Sequence, residues 1–234
     1  MMGAPVVRVS SGIPGFDDLI DGGFKQGSIN LVAGDPGTGK TIFGIQFLVA
    51  GMLQGEATVY ITFEEKRQKL YEDMLSLGWD LLAFERKGLF SFLEYSPEQG
   101  KKLLVEGGGT IEALIQKNKC KRLVIDSISS FTLLYQDELT QKEASLALFE
   151  LINTWHCTAV LTSQNTQIDQ ETVSAALEFE VDSIIILYHL KVAGVRKRAI
   201  EILKMRGTKH PDKTLLLQIS PRGLEVDPKQ IVTF

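Results

Sequence analysis

The stretch from Gly34 to Thr41, which reads Gly-Asp-Pro-Gly-Thr-Gly-Lys-Thr, constrains the fold more than any other part of this chain. The apolar run Ser28–Ala33 comes directly before it and has the length of a strand, and Thr41–Gln54 after it has the apolar spacing of a helix. A glycine-rich turn between a strand and a helix points backbone N–H groups and the helix N-terminus at one place, where they attract phosphate. The sequence therefore predicts an α/β fold with a phosphate-binding loop.

The residue types in this loop suit a magnesium triphosphate. The pattern G-x-x-x-x-G-K-[ST] is met by Gly34, Asp35, Pro36, Gly37, Thr38, Gly39, Lys40 and Thr41. Lys40 would supply a cation to the β- and γ-phosphate oxygens, and the Thr41 hydroxyl would be a ligand of Mg²⁺. A random chain of this length contains the pattern with a probability of roughly 1%. An incidental glycine-rich turn is thus the weaker interpretation, and ATP with Mg²⁺ is the expected ligand.

Apolar runs of strand length alternate with stretches of helical spacing along most of the chain. The predicted strands after the first are Thr58–Phe63, Leu89–Leu93, Arg122–Ile125, Thr158–Thr162 and Ser183–Tyr188. The predicted helices after the first are Lys66–Leu77, Thr110–Asn118 and Gln141–Trp155. Strands joined by helices lie parallel, because only antiparallel neighbours can be joined by a tight turn. Their nearly continuous apolar content indicates a central, mostly parallel sheet with helices on both faces.

The C-terminal part follows another pattern. Arg198–Lys204, Leu215–Ile219 and Leu224–Val226 read as strands separated by short turns, which predicts an antiparallel hairpin extension at one edge of the sheet. Pro97–Gly109 ends in three consecutive glycines and is predicted to be a mobile linker. No internal repeat or low-complexity segment interrupts the chain, so we predict one domain over residues 1–234.

Composition and charge narrow the class of protein. Hydrophobic residues make up 44% and charged residues 23% of the 234 residues, which is typical of a folded domain with a sizeable core. The net charge of −4 excludes a surface that attracts nucleic acid as a whole. Cys120 and Cys157 lack metal-ligand spacing and are expected to be buried thiols. We see no signal peptide and no apolar run of membrane length, so a cytoplasmic protein without membrane contact is expected.

An aspartate follows one of the predicted buried strands. Arg122–Ile125 ends at Asp126, and residues at the carboxyl ends of parallel strands face the crevice where ligands bind. A helix cap or a turn is the simple interpretation of an aspartate in this place. Downstream of a phosphate loop, a role for Asp126 in holding Mg²⁺ is the better hypothesis.

Two adjacent carboxylates follow another strand. Glu64 and Glu65 come directly after Thr58–Phe63, the strand next in sequence to the phosphate-loop helix. Adjacent acids at the end of a strand are usually solvated loop residues. Hydrolysis of a γ-phosphate, however, needs a group that orients or deprotonates water. Glu64, Glu65 or both are therefore candidates for the catalytic base.

Four features occur together and in this order. They are SGIPGFD at Ser11–Asp17, the loop Gly34–Thr41, the pair Glu64 and Glu65, and KMRGTKH at Lys204–His210. Together they resemble the KaiC-domain branch of the RecA/RadA superfamily of ATPases, and in particular a short archaeal-type RadA paralogue. The resemblance covers nearly the whole chain, from residue 9 to residue 219. The phosphate loop alone is generic, whereas the double glutamate with KMRGTKH is much more specific.

The resemblance implies a RecA-like P-loop core that binds ATP and Mg²⁺. In assembled members the nucleotide lies between subunits, so a homo-oligomer is implied. Lys204 and Arg206 would then reach the γ-phosphate bound to a neighbouring subunit, although an exposed basic strand would be preferred without the resemblance. Gln164, which follows the strand Thr158–Thr162, is implied to sense the γ-phosphate, and a polar strand end is the alternative.

The same resemblance raises the question of single-stranded DNA. The first loop that would meet it is Phe131–Thr140, with Phe131 and Tyr135 as candidate base-stacking groups. The second, Asn165–Asp182, carries five acidic residues and no lysine or arginine, which would repel phosphate. Basic residues cluster elsewhere, at Lys117, Lys119, Lys121 and Arg122 and again at Lys191, Arg196, Lys197 and Arg198. Either cluster is equally well explained as a charged surface.

Three functions fit these observations. The favoured one is an ATPase that modulates DNA recombination or repair through single-stranded DNA or a recombinase partner. The alternative is a KaiC-like signalling ATPase or autokinase that acts through a protein partner, with Thr166, Thr172 and Ser174 as candidate phosphate acceptors. The third is a scaffold that binds nucleotide without hydrolysing it.

Overall fold

Strands and helices alternate through most of the computed structural model, which describes residues 6–105, 107–164, 180–192 and 194–233. The strands are β1 (Arg8–Val9), β2 (Phe24–Lys25), β3 (Ile29–Gly34), β4 (Thr58–Thr62), β5 (Phe90–Glu94), β6 (Arg122–Asp126), β7 (Thr158–Ser163), β8 (Ser183–Val192), β9 (Val195–Met205), β10 (Leu215–Ser220) and β11 (Gly223–Ile231). The helices are α1 (Lys40–Leu53), α2 (Arg67–Ser76), α3 (Leu81–Arg86), α4 (Pro97–Val105), α5 (Gly109–Asn118), α6 (Ile128–Thr132) and α7 (Glu138–Trp155), with a 3-10 turn at Asp17–Ile20.

Nine strands form the central sheet, in the order β11-β10-β9-β8-β3-β7-β6-β4-β5. The six strands from β8 to β5 run parallel to one another, whereas the pairings of β8 with β9, β9 with β10 and β10 with β11 are antiparallel. β1 and β2 pair separately as a short antiparallel hairpin. The predicted fold class, a mostly parallel sheet with an antiparallel C-terminal extension, is confirmed.

Helices cover both faces of this sheet. All residues of β3, β4, β6 and β7 are buried, as expected for parallel strands between two helical layers. On one face, Phe43 and Phe47 of α1 pack against Phe16 and Phe24 near the N-terminus. On the other face, a second apolar cluster joins α5, α6 and α7 to the sheet. The core therefore holds the carboxyl ends of neighbouring strands in fixed register.

The predicted linker Pro97–Gly109 is wrong, because most of this stretch forms α4. Ser96 and Gln99 form a capping box: the Gln99 N–H donates to Ser96 Oγ at 3.3 Å, and the Ser96 N–H donates to Gln99 Oε1 at 2.8 Å. Pro97 is then the first helical residue, where its missing N–H costs nothing. The glycines mark only the passage from α4 to α5.

The prediction that Arg122 belongs to a basic surface cluster is also wrong. The side chain of Arg122 is 1% exposed and pairs with Glu56 at 2.6 Å. Its Nη1 also donates to the carbonyls of Ser10 (2.7 Å) and Phe47 (2.8 Å), so the guanidinium ties β6 to α1 and to the N-terminal segment. A buried charge with this many partners is a structural group and cannot contact DNA.

Two strands are longer than predicted, since β8 continues beyond Tyr188 to Val192 and β9 starts at Val195 instead of Arg198. Within the described part of the chain, no helix is both long enough and apolar enough to cross a lipid bilayer.

Candidate nucleotide-binding site

The loop between β3 and α1 has the backbone path that phosphate binding requires. Gly37 and Gly39 have φ angles of 80° and 111°, in the left-handed region that favours glycine. The Thr38 hydroxyl donates to the Asp35 carbonyl at 2.8 Å and braces the turn. A Cβ on Gly39 would lie 3.3 Å from Leu224 Cδ2, so β11 supports the loop from behind.

The ammonium group of Lys40 is bound to its own loop. Its Nζ donates to the carbonyls of Gly34 (2.7 Å) and Asp35 (3.0 Å). Burial lowers the pKa of Lys40 from its ordinary value of 10.5, while Asp126, Asp35 and Glu64 act in the opposite direction. These weak carbonyl partners can be exchanged for phosphate oxygens, which are stronger acceptors because they are charged.

Asp126 is surrounded by hydroxyl groups. Its Oδ2 accepts hydrogen bonds from Thr41 Oγ1 (2.7 Å) and from the Tyr60 hydroxyl (2.8 Å), and its Oδ1 accepts one from Thr162. The neighbours of β6 in the sheet, β4 and β7, supply Tyr60 and Thr162. Burial, together with the charge of Asp126, raises the pKa of Tyr60 well above 10.0, so this hydroxyl keeps its proton.

The contact between Thr41 and Asp126 has the chemistry of a magnesium site. A hydroxyl and a carboxylate oxygen meet beside the phosphate loop, and Mg²⁺ prefers such oxygen ligands. The residues present therefore fit the ion that the sequence predicted.

Glu64 lies in the same crevice and is held by two neutral donors. One carboxylate oxygen accepts a hydrogen bond from Ser130 Oγ in α6, and the other accepts from Gln164 Nε2 at 3.3 Å. The backbone N–H groups of Glu64 and Glu65 both donate to Thr62 Oγ1, at 3.2 and 3.0 Å. The geometry thus distinguishes the two glutamates, since the carboxylate of Glu64 is oriented from α6 and from the end of β7.

Gln164 joins Glu64 to the end of β7. Its backbone N–H donates to Ser129 Oγ at 2.9 Å, and Ser129 Oγ also contacts Ser163 Oγ at 3.0 Å. A displacement of the Glu64 side chain would therefore displace Gln164, and a displacement of Gln164 would displace Glu64. The segment that follows, including Thr166, Thr172 and Ser174, lies outside the described residues.

Lys204 and Arg206 are not brought to this crevice. Lys204 Nζ donates to the Val181 carbonyl at 2.9 Å, and the Arg206 N–H donates to the Asp182 carbonyl at 2.8 Å. Asp182 in turn accepts from the N–H of Ile29, the first residue of β3, whereas the phosphate loop follows the last. The six residues of β3 span roughly 17 Å. Lys204 and Arg206 therefore lie near the amino ends of the parallel strands, and the phosphate loop lies at their carboxyl ends.

Sequence reasoning did not find Tyr60, Thr162 or Ser130, because the roles of the first two depend on strand register and that of Ser130 depends on how α6 leaves β6. It also misplaced Phe131: this side chain is fully buried and packs against Phe63 at 5.5 Å, so it cannot stack on a base. Tyr135 is half-buried, with its ring 5.7 Å from that of Phe131.

The tip of the β8–β9 hairpin lies beside the phosphate loop. Arg198 Nε donates to the Gly37 carbonyl at 3.3 Å, and His189 is its register partner on β8. Burial, followed by the charges of Arg198 and Arg196, lowers the pKa of His189 from 6.5. A cavity of about 500 Å³ opens between this tip and the loop; it is lined by Asp35, His189, Leu190, Lys191, Gly194 and Arg196.

Comparison with known proteins agrees with this geometry. The family profile described as "ATPase: KaiC" matches residues 9–231. The circadian clock protein KaiC3 of Synechocystis is 34% identical over 213 residues, which are 88% of this chain and 42% of that protein. A UPF0273 protein of Pyrococcus horikoshii is 32% identical over 238 residues, covering 96% of each chain. The chain thus spans about two fifths of the clock protein and nearly all of the archaeal relative.

A solved structure is similar over the same range. The crystal structure of a KaiC-like protein from Pyrococcus horikoshii superposes with a TM-score of 0.86 at 35% identity, and the alignment covers 96% of this chain and all of that one. The profile match, the full-length relative and the shared fold together cover both the phosphate loop and the KMRGTKH segment. The chain therefore belongs to the KaiC family of RecA-like P-loop ATPases.

Proposed function

We propose that this chain binds Mg·ATP at the phosphate loop and hydrolyses the bond between the β- and γ-phosphates. The observation that carries the proposal is the convergence of Lys40, Thr41, Asp126 and Glu64 at the carboxyl edge of β3, β4 and β6. Thr41 and Asp126 would hold Mg²⁺, which offsets negative charge on the phosphates. Lys40 would move from its carbonyl partners to phosphate oxygens, and the N–H groups of the loop would bind the remaining charge.

Glu64 is the proposed base that orients and deprotonates the attacking water. Ser130 and Gln164 hold its two carboxylate oxygens, so its position is set before substrate arrives. Gln164 contacts this carboxylate directly, which supports a role in reporting the γ-phosphate to the end of β7.

The test compares two variants at neighbouring positions. Glu64→Gln should lower kcat by about 10²- to 10⁴-fold, the usual contribution of a general base, while the Kd for Mg·ATP changes little. Glu65→Gln, which removes the adjacent charge, is the matched control and should retain most of the turnover. The reverse result would assign the base to Glu65, and full turnover in both variants would remove the proposal.

An assembly with nucleotide between subunits is also proposed. Lys204 and Arg206 lie roughly 17 Å of strand away from the phosphate loop of their own chain, so they can reach a γ-phosphate only on another subunit. A cation that arrives from a neighbour would stabilise the charge of the transition state and make hydrolysis depend on assembly.

Binding of single-stranded DNA is a second candidate function, with a role in recombination or repair. It is supported by the basic tip of the β8–β9 hairpin, where Lys191, Arg196 and Lys197 are exposed beside the nucleotide crevice. An anisotropy titration with labelled oligonucleotide should give affinity that falls steeply with salt and is weakened by Arg196→Ala with Lys197→Ala. No affinity at low salt would remove this candidate.

Signalling through autophosphorylation is another alternative, because the KaiC3 relative is a circadian clock protein. Mass spectrometry after incubation with Mg·ATP decides it: a phosphorylated chain supports the alternative, and an unmodified chain counts against it.

A further inference from the structure

The N-terminal hairpin holds the segment that carries Lys204 and Arg206. Arg8, in β1, donates from Nη1 to Thr208 Oγ1 at 2.9 Å and to the Gly23 carbonyl at 3.1 Å. Its Nη2 forms an ion pair with Asp21 at 3.4 Å. The Arg8 side chain is 17% exposed and Thr208 is 8% exposed, so the shared hydrogen bond is largely shielded from water. One guanidinium thus joins the start of the chain to a residue 200 positions later.

The turn that follows β9 is fixed on several sides. The Arg206 N–H is bound to the Asp182 carbonyl at 2.8 Å, and the Thr208 N–H to the Met205 carbonyl at 3.3 Å. Gly207 has a φ of 61°, and a Cβ there would lie 2.5 Å from Lys25 Nζ in β2. Backbone bonds therefore hold the turn against the sheet, while β1 and β2 hold its outer side through side chains.

Arg8 lies far from the nucleotide crevice of its own chain. It pairs in register with Lys25, which precedes the first residue of β3, whereas the phosphate loop follows the last residue of β3. An effect of Arg8 on hydrolysis in its own subunit would have to cross the length of the sheet. An effect through Lys204 and Arg206 needs only the contacts described above.

We propose that Arg8 is a positioning residue for hydrolysis on the neighbouring subunit. By holding Thr208, it fixes the end of β9, which carries Lys204, and the turn that follows, which carries Arg206; these two cations would meet the γ-phosphate bound to a second copy of the chain. This inference rests on the proposed function and deepens it. A displacement of about 1 Å in a group that stabilises a transition state can cost about 10²-fold in rate, so loss of this contact should be visible in kcat.

The simpler role for Arg8 would be to hold the N-terminal hairpin to the fold. That role predicts a lower melting temperature for an Arg8 variant, with any loss of activity following the fraction of unfolded protein. It does not predict that activity returns when a different subunit supplies an intact turn. Subunit mixing therefore separates the two roles.

The experiment uses the full chain carrying Arg8→Gln, which keeps hydrogen-bonding capacity but removes the charge and the fork. Its kcat should fall by about 10- to 100-fold with KM nearly unchanged. Co-expression and co-purification with Lys40→Ala, which has a disabled phosphate loop and an intact turn, should restore activity. In a random equal mixture each active crevice needs one subunit of each kind, so recovery should reach about a quarter of the native rate.

Two controls and a pair of variants at Thr208 accompany the mixture. Asp21→Asn removes only the exposed ion pair of Arg8, in a residue whose φ of 55° asparagine tolerates, and should keep native activity. Arg206→Ala mixed with Lys40→Ala tests the proposed assembly itself. Thr208→Val should lower kcat as much as Arg8→Gln does. Thr208→Ser, which keeps the hydroxyl that accepts from Arg8, should retain the native kcat.

The outcomes distinguish failure of the positioning role of Arg8 from failure of the proposed assembly. If the Arg206→Ala mixture recovers and the Arg8→Gln mixture does not, or if Arg8→Gln alone is fully active, the positioning role is overturned while the proposed function stands. If neither mixture recovers, hydrolysis does not depend on a neighbour and both the assembly and this inference fall. Melting curves of each variant confirm that the subunits are folded at the assay temperature.

Discussion

At the scale of single residues, the site is prepared for an anion by groups that currently bind one another. Lys40 is bound to two carbonyl oxygens of its loop, and Thr41 is bound to Asp126. The two hydrogen bonds of Lys40 lie within the phosphate loop, and only the bond from Thr41 to Asp126 joins distant elements, α1 and β6. Phosphate and metal can therefore replace the partners of Lys40 and Thr41 with little rearrangement of the backbone.

Replacing Lys40 tests this arrangement directly. Lys40→Ala should weaken Mg·ATP binding by roughly 10- to 150-fold, because a hydrogen bond to a charged group contributes about 1.5–3 kcal/mol. Isothermal titration calorimetry measures the change in Kd. Lys66→Ala removes a lysine whose side chain is 77% exposed and should leave Kd unchanged. Equal affinity in native protein and Lys40→Ala would contradict the assignment.

The sequence predicted the residues of this site that lie within recognisable patterns. Lys40 and Thr41 belong to the loop motif, and Asp126 and Glu64 follow strand-like apolar runs. Tyr60 and Ser130 could not be found in this way. Their contacts depend on which strands are neighbours and on how α6 leaves β6, and no local pattern in the sequence encodes either.

At the scale of elements, the contact between α1 and β6 has little spare volume. Arg122 of β6 lies under Gly51 of α1, and its guanidinium carbon is 4.9 Å from the ring centroid of Phe47. The sequence placed Arg122 in a basic surface cluster because charged residues are usually exposed. Only its partners Glu56, Ser10 and Phe47, which come from other parts of the chain, make its burial acceptable.

A substitution at Gly51 follows from this packing. A Cβ there would lie 2.4 Å from Arg122 Nε and 2.7 Å from Glu56 Oε2. Gly51→Ala should lower the free energy of unfolding by up to about 2 kcal/mol, since overpacking costs about 1–3 kcal/mol and the gain in helix propensity offsets about 1 kcal/mol of this. Urea unfolding measures the difference. Leu53→Ala, at a position that is 74% exposed, is the control; stabilisation by Gly51→Ala would show that the contact is loose.

The segments that enter β6 and β7 each carry a buried thiol, as the sequence predicted. Burial raises the pKa of Cys120 from 9.0 to about 11 and that of Cys157 to about 12. Because these pKa values are higher in the folded than in the unfolded state, the thiols favour folding below pH 9 and this contribution is lost as the pH rises toward 11–12. Tyr60, whose pKa is also raised by burial, acts in the same direction.

Stability should therefore fall between pH 9 and pH 11. The measurement is urea unfolding at several pH values for the native chain and for Cys120→Ala with Cys157→Ala. The double variant should lose less stability over this range, although Tyr60 leaves a remaining dependence. An identical slope in both proteins would mean that the thiols titrate normally in the folded state.

At the scale of the whole molecule, the nine-stranded sheet separates two groups of residues that the sequence assigned to one reaction. The proposed magnesium ligands and catalytic base lie at the carboxyl ends of the parallel strands, and they are Thr41, Asp126 and Glu64. The two proposed trans-acting cations, Lys204 and Arg206, lie near the amino ends. The parallel sheet was predictable because buried strands leave long apolar runs. The separation was not, because it depends on β8 being the parallel neighbour of β3 and on a β8–β9 ladder of ten register pairs that returns the end of β9 to the start of β3. The extent of a single domain over residues 1–234 stays a prediction.

The central claim, that this chain hydrolyses ATP at a crevice completed by a second copy, is tested most directly by phosphate release per subunit. The rate is measured at saturating Mg·ATP over a range of protein concentrations, with Lys40→Ala as the control for contaminating ATPases. We expect turnover per subunit that rises with protein concentration to a plateau and is lost in Lys40→Ala. Folded native protein that releases no phosphate at any concentration would contradict the account.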